Sequence, residues 1–314
     1  MTEHSSADTQ RAQATWPALP LSEWQPTRDI LQLWTQIVGK VRMANAPLLN
    51  HWWNVPLYVS ARGLTTSLIP DPTGGAFQIT FDLWDHRLDI ATTSGAQRAM
   101  PLRSGAVADF YAEFMHLLHE IGVDTTVWPM PVEIEDAVRF DADTLHRVYD
   151  GEQAHRYWLA LVQIARVFEQ FRTAFVGKSS PVHLFWGALD LATTRFSGRG
   201  APPHPGGAPN CGPHVMLEAY SHEVSSLGYW PGGDGEGHFY SYAYPLPGGF
   251  PDQRVQPEAA FWSPELAEFL LPYEEVRSAA EPDQLLLAFA RSTYDAAATC
   301  AHWDRAQLER AGSG

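Results

Sequence analysis

Apolar positions recur at helical spacing in four stretches of the chain. Residues 30, 33 and 37 are apolar, and the same spacing returns at 168, 171 and 175. This predicts one amphipathic helix around 30–40 and a longer one over 152–175, each stopped by a glycine. Two further helices are predicted over 107–122 and 282–299. Between them lie stretches with a strand period. Trp53, Val55, Leu57 and Val59 alternate, as do Phe185, Leu189 and Leu191. The first of these strands is read as opening at His51 and the second at His183. FQITFDLWDHRLDI, carrying His86, reads as a strand pair; EAYSHEVSSLGYW, carrying His222, and HFYSYAYP read as two more.

The order helix, antiparallel strands, helix is therefore expected twice. Residues 31–40, LQLWTQIVGK, align without a gap on 169–178, EQFRTAFVGK, with Gln32/Gln170, Thr35/Thr173, Val38/Val176, Gly39/Gly177 and Lys40/Lys178 identical. The expected class is α+β: an internally duplicated helix–antiparallel sheet–helix unit whose halves pack as a pseudo-symmetric pair. Residues 1–15 read as a disordered start and 16–128 as a scaffold-like first repeat. An acidic, proline-rich connector follows over 129–150, and 151–314 forms the second repeat, expected to hold the site. Its segment 197–214 carries five prolines and five glycines in 18 positions and is expected to be a lid. The stretch 231–237 reads as a hairpin tip.

Composition narrows the partners. Of 314 residues 45 % are apolar and 18 % charged, and the net charge is −15 with no basic run. Nucleic acid and anionic membrane surfaces are excluded as expected partners, and no window is long and apolar enough for a transmembrane helix. The polar, acidic start lacks the form of a signal peptide, so a cytoplasmic location is expected. Cys211 and Cys300 are too few for a disulfide framework. The phosphate-binding glycine loops, the serine-hydrolase elbow and the paired-cysteine redox motif are all missing. The oligomeric state is not legible.

Two imbalances point to a site. Twelve tryptophans sit beside Tyr, Phe and Pro, as in the walls of a ligand pocket. Only two lysines, Lys40 and Lys178, stand against 19 arginines, and both close a Val-Gly-Lys tripeptide. Either would suit an anion, or simply the C-terminal end of a helix. His183 and His222 begin strands of the second half and are expected metal ligands, with His204 or Asp190 completing the set. Glu223, on the other side of its strand, would be the general base. Arg195 or Lys178 would anchor a substrate anion, with Arg199 beside them and Trp186 and Trp230 as walls.

The strings WPALPLSEWQ, LWTQIVGKVR, NHWWNVPLYVSARGL, WPMPVEI, SPVHLFWGALDLATTRFSGR, APPHPGG and EAYSHEVSSLGYWPGG together resemble a bacterial family of unknown function, over about residues 16–310. The resemblance implies a stand-alone protein of this length and brings no activity, cofactor or catalytic residue. From the residues, the leading expectation is an enzyme using Fe, Zn, Cu or Mn, hydrolytic or oxidative, on a small molecule under the 197–214 loop. The alternatives are a metal-free protein binding a small ligand in a Trp-lined cavity, and a haem protein with a strand histidine as axial ligand.

Overall fold

The computed structural model describes residues 16–71, 74–233 and 235–310; the start expected to be disordered lies outside them. Helix α1 (Leu21–Asn45) buries Trp24, Ile30, Leu31, Trp34, Ile37, Val38 and Val41, the stripe that its three-and-four spacing dictates. Strands β1 (Tyr58–Ser60), β2 (Gly63–Thr65), β3 (Ile69–Pro70), β4 (Ala76–Asp82), β5 (Arg87–Thr92) and β6 (Gln97–Pro101) follow. They form one antiparallel sheet in the order β1-β2-β4-β5-β6, with β3 also on β4. Phe77, Ile79 and Phe81 alternate inward opposite Ile90 and Leu88. A short pair, β7 (Gly105–Ala106) and β8 (His146–Arg147), brackets α2 (Val107–Glu120) and the connector.

The second half opens with α3 (Gly151–Arg172), capped by the Asp150 carboxylate, which accepts from the Glu152 and Gln153 amides. Strands β9 (His183–Phe185), β10 (Asp190–Gly200), β11 (His222–Trp230), β12 (His238–Tyr244), β13 (Phe261–Ser263) and β14 (Glu268–Pro272) make the second antiparallel sheet. Its order is β13-β14-β12-β11-β10-β9. Helices α4 (Pro213–Ala219), α5 (Tyr273–Arg277), α6 (Pro282–Cys300) and α7 (Arg305–Leu308) complete the described chain. The class is thus α+β, with seven helices among the described residues. None of these helices is long and apolar enough to cross a membrane.

The two sheets meet edge to edge. Leu57, just before β1, and Leu184 in β9 exchange backbone hydrogen bonds of 2.9 and 2.8 Å. One face of the second sheet packs on α3 and α6, with Leu191, Leu227, Tyr229, Phe239 and Leu271 buried on that side. Residues one position along each strand face the other way, and that opposite face carries the candidate site.

Several local expectations change. The Val-Gly-Lys tripeptide does not stop a helix in either half. In α1 the helix runs on through Gly39 and Lys40 to Asn45. Gly39 is there because a Cβ would sit 2.2 Å from Trp186 Nε1: the glycine admits the indole against the helix. In the second half α3 ends at Arg172, and Val176 and Gly177 instead donate to the Leu308 carbonyl beyond it. His51 does not open a strand either; it lies in a single 3-10 turn, Asn50–Trp52, with φ 57°. His86, at φ 53°, is in the turn between β4 and β5. His183 and His222 do open β9 and β11. The irregular segment is shorter than expected, since β10 extends to Gly200 and α4 begins at Pro213.

Candidate functional site

The open face of the second sheet is the floor of a cavity of about 990 Å³. Asp190, Ala192, Thr194 and Phe196 project into it from β10, Ser226 and Trp230 from β11, Tyr240 and Tyr242 from β12, and Glu268 and Leu270 from β14. All have the same parity, because cross-strand partners share a face. The remaining walls come from elsewhere in the chain. Lys40 reaches in from α1, Trp52 and Trp53 from the 3-10 turn, and Trp128 and Glu133 from the connector. Ala208 to Met216 closes the cavity opposite the sheet.

That covering segment is tied down on three sides. Glu133 N donates to the Pro209 carbonyl at 2.8 Å, and the Asn210 side chain donates to Ile134 O at 3.2 Å. Trp52 Nε1 donates to Val215 O at 3.0 Å, and Tyr244 Oη to Pro202 O at 3.0 Å. The connector in turn is held on α1. The buried Gln36 side chain donates to the Val132 and Gly187 carbonyls and accepts from Val132 N, which brings Glu133 up against Gly187 on the β9–β10 turn.

Three carboxyl groups face this interior. Burial lifts Asp190 to about 6, partly offset by a 2.6 Å hydrogen bond from Tyr240 Oη. Glu133 and Glu268 rise to about 7, first through burial and then through the negative charge of Asp190. Glu133 lines the cavity with its side chain exposed, so solvent screens its upward shift. Tyr220 and Tyr242 share a 2.8 Å hydroxyl contact on the same wall, and burial raises both phenols. Lys40 is 2 % exposed. Its ammonium lies 5.1 Å from the Trp128 ring centre and 6.0 Å from that of Trp186, and burial brings it down to about 8.

The expected site residues divide. Trp186 and Trp230 are cavity walls; the Trp186 indole donates to Val55 O at 2.9 Å and is fixed over Gly39. His183 also lines the cavity. Neither of its buried ring nitrogens has a hydrogen-bond partner, and burial lowers it to about 4. His204 stacks on Tyr220 at 4.6 Å and accepts from Gly206 N through Nδ1, so it braces the cover. His222 contacts Ser221 Oγ at 3.0 Å and the His51 ring at 5.5 Å.

The three expected metal ligands do not converge. Among the described residues, no three His, Cys, Asp or Glu gather in a group that could hold a metal ion. His51, the imidazole nearest His222 by ring contact, is already committed at both nitrogens. Nδ1 donates to Ala219 O at 3.1 Å, and Nε2 accepts from the Lys178 ammonium at 2.7 Å. Among the described residues the expected ligands thus form no three-donor group.

The expected general base and anion anchors are also placed differently. Glu223 accepts from Ser197 Oγ and Arg199 Nε, both at 2.8 Å, while Arg199 donates onward to Ala301 O at 2.6 Å. The pair is a strut to the end of α6, outside the cavity. Arg195 projects from the helix-side face of its strand and is 3 % exposed. Its guanidinium stacks 3.6 Å over Phe171 and 4.2 Å over Tyr294 and donates to Phe171 O, so it fastens α3 to α6. Lys178 is exposed and holds the His51 turn.

The groups that do converge include Glu133, Glu268 and Tyr240, which sequence reasoning passed over. The signal for Tyr240 was present: in HFYSYAY, His238, Tyr240 and Tyr242 are every second residue of one strand. Glu133, arriving from the connector, had no such signal.

Comparison with known proteins matches the chain to the model of the "Family of unknown function (DUF5996)" over residues 16–310. No curated protein and no solved structure matches the chain.

Proposed function

The chain belongs to the DUF5996 family, and from that premise we propose that this protein binds a small, mostly apolar organic molecule in the cavity of its second sheet. One observation carries the reading: a cavity of about 990 Å³ with aromatic walls and a few convergent polar groups. Ligand sites of drug-sized molecules occupy roughly 300–1,000 Å³ and combine those same two features. Trp128, Trp186 and Trp230 supply stacking surface; Asp190, Glu133, Glu268 and Lys40 supply orientation. The segment 201–220 is the cover. The recurrence of helix, antiparallel sheet and helix supports reading the first half as a duplicated scaffold for the second.

Catalysis in the same cavity is a second reading, favoured by the raised carboxyl groups. A carboxylic acid that exchanges its proton near neutral pH is what general acid–base chemistry uses.

Titration with the neutral fluorophore Nile red tests the binding reading. Saturable one-to-one binding with quenching of tryptophan emission is expected. Ala192→Phe, which fills the cavity floor, should abolish it while the thermal transition remains. Failure of the wild-type protein to bind, or undiminished binding by a folded Ala192→Phe protein, would overturn the reading.

A further inference from the structure

We propose that Lys40 is a covalent anchor for carbonyl ligands, forming an imine with a small aldehyde or ketone bound in the cavity. This rests on the binding reading above and adds the ligand's class. Lys40 and Lys178 are the chain's only lysines, and their surroundings differ in the respect that matters. The Lys178 ammonium is exposed and donates to His51 Nε2 at 2.7 Å. Lys40 is buried, lines the cavity, and has no ion pair or hydrogen bond among the described residues. Its neighbours are the faces of Trp128 and Trp186.

An ammonium without a carboxylate counter-charge, out of bulk water, is destabilised relative to the free amine. That is the state of the Lys40 nitrogen, which burial brings to about 8, so that about a tenth is uncharged at pH 7. Desolvation in an apolar pocket is one of the established ways to make a lysine nucleophilic toward carbonyl carbon. A purely electrostatic anchor for anions would be better served by a fully charged group, and Arg fills nearly every other cationic position of this chain.

The groups needed for the remaining proton transfers face the same space. Glu133 and Lys40 both line this cavity, and both act electrostatically on the Cys211 thiol, one raising and the other lowering it. The Lys40 amine attacks the carbonyl carbon, and the nitrogen proton passes to the oxygen. The resulting carbinolamine then loses its hydroxyl as water, with the proton supplied by the Glu133 carboxyl. The lone pair on nitrogen closes the C=N bond as an iminium, whose N–H proton returns to the Glu133 carboxylate to leave the neutral imine. Water is the only product besides the imine, and nothing is oxidised or reduced.

The experiment is reductive trapping with benzaldehyde and sodium cyanoborohydride at pH 7, read by intact mass and peptide mapping. With two lysines and one terminal amine, the map is unambiguous. A single benzyl group on Lys40 is expected, gained on the order of tenfold faster than on Lys178. Lys40→Arg, which keeps the charge but forms no stable imine, should lose the fast phase while the thermal transition remains. Fast labelling confined to Lys178 or the N-terminus would overturn the proposal. So would wild-type protein that binds Nile red without trapping benzaldehyde, and that result would leave the cavity reading standing. If neither probe engages the protein, both readings fail together.

Discussion

The Tyr240 ring lies flat across Gly228, its partner on the neighbouring strand, and so reaches Asp190 one strand further on. A Cβ at position 228 would stand 2.1 Å from Tyr240 Cζ. The absent side chain lets the hydroxyl cross β11 and close the 2.6 Å hydrogen bond to the carboxyl on β10. Three strands are thereby joined on the cavity floor by one side chain.

This relationship gives a coupled prediction. Gly228→Ala forces the ring off the sheet and should cost about 1–3 kcal/mol, with weaker Nile red binding. In a Tyr240→Ala background the clash is gone, and the same Gly228→Ala change should be neutral or slightly stabilising, since alanine restricts the unfolded chain. A double-mutant cycle by denaturant unfolding measures the difference. Equal costs in both backgrounds would refute the packing argument.

The carboxyl cluster predicts an inverted pH response. Asp190, Glu133 and Glu268 hold their protons more tightly folded, to about 6, 7 and 7, than at their unperturbed 3.8, 4.5 and 4.5. The folded state therefore binds more protons than the unfolded chain across this window. Their contribution is fully present below about pH 4 and is lost as pH rises through 6 to 7. Asp82 and Glu309, held below the usual carboxylate range, act in the opposite sense at lower pH. The cluster's share is isolated by comparison with Glu268→Gln. Between pH 5 and 8 this variant should lose less thermal stability than the wild-type protein. Parallel curves would remove the cluster from the explanation.

Arg195 predicts stability without affinity. Its guanidinium is sealed between Phe171, Phe175 and Tyr294, and Arg195→Met would strand the Phe171 carbonyl to which it donates. A loss of about 2 kcal/mol is expected, the range for a hydrogen bond from a charged group. Nile red affinity should be unchanged, because the side chain sits on the helix face of the sheet. A selective loss of affinity with full stability would return Arg195 to the binding site.

How far the chain could be read in advance follows from which contacts are local. Helices α2 and α6 were legible almost to the residue, since a stripe of apolar side chains at helical spacing has one good burial solution. Strands β11 and β12 of the second sheet were legible for the same reason at period two, whereas the single strand read from His183 is two, β9 and β10, and β13 and β14 were not foreseen. Position along the sequence misled where tertiary contact decides. Gly39 looks like a helix stop and is a seat for Trp186, 147 positions away. Glu223 looks like a base beside a ligand, and its partner is an arginine across the strand pair. The lysine imbalance did mark something real: the two side chains end in unlike surroundings, one buried between tryptophans and one exposed against a histidine. Of the Pro/Gly-rich segment, the part from Ala208 onward is a wall of the cavity.

The backbone exchange between Leu57 and Leu184 reaches beyond architecture. Leu184 is flanked by His183 and Phe185, both cavity walls, so the rim of the pocket hangs from the edge of the other sheet. Neither edge strand is left bare for an intruding chain at this seam. A loosening far off in the first sheet would be felt as a change in pocket width, and ligand held in the second half would in turn steady the first. With the two sheets joined at this bridge, unfolding should proceed as one event across the seam.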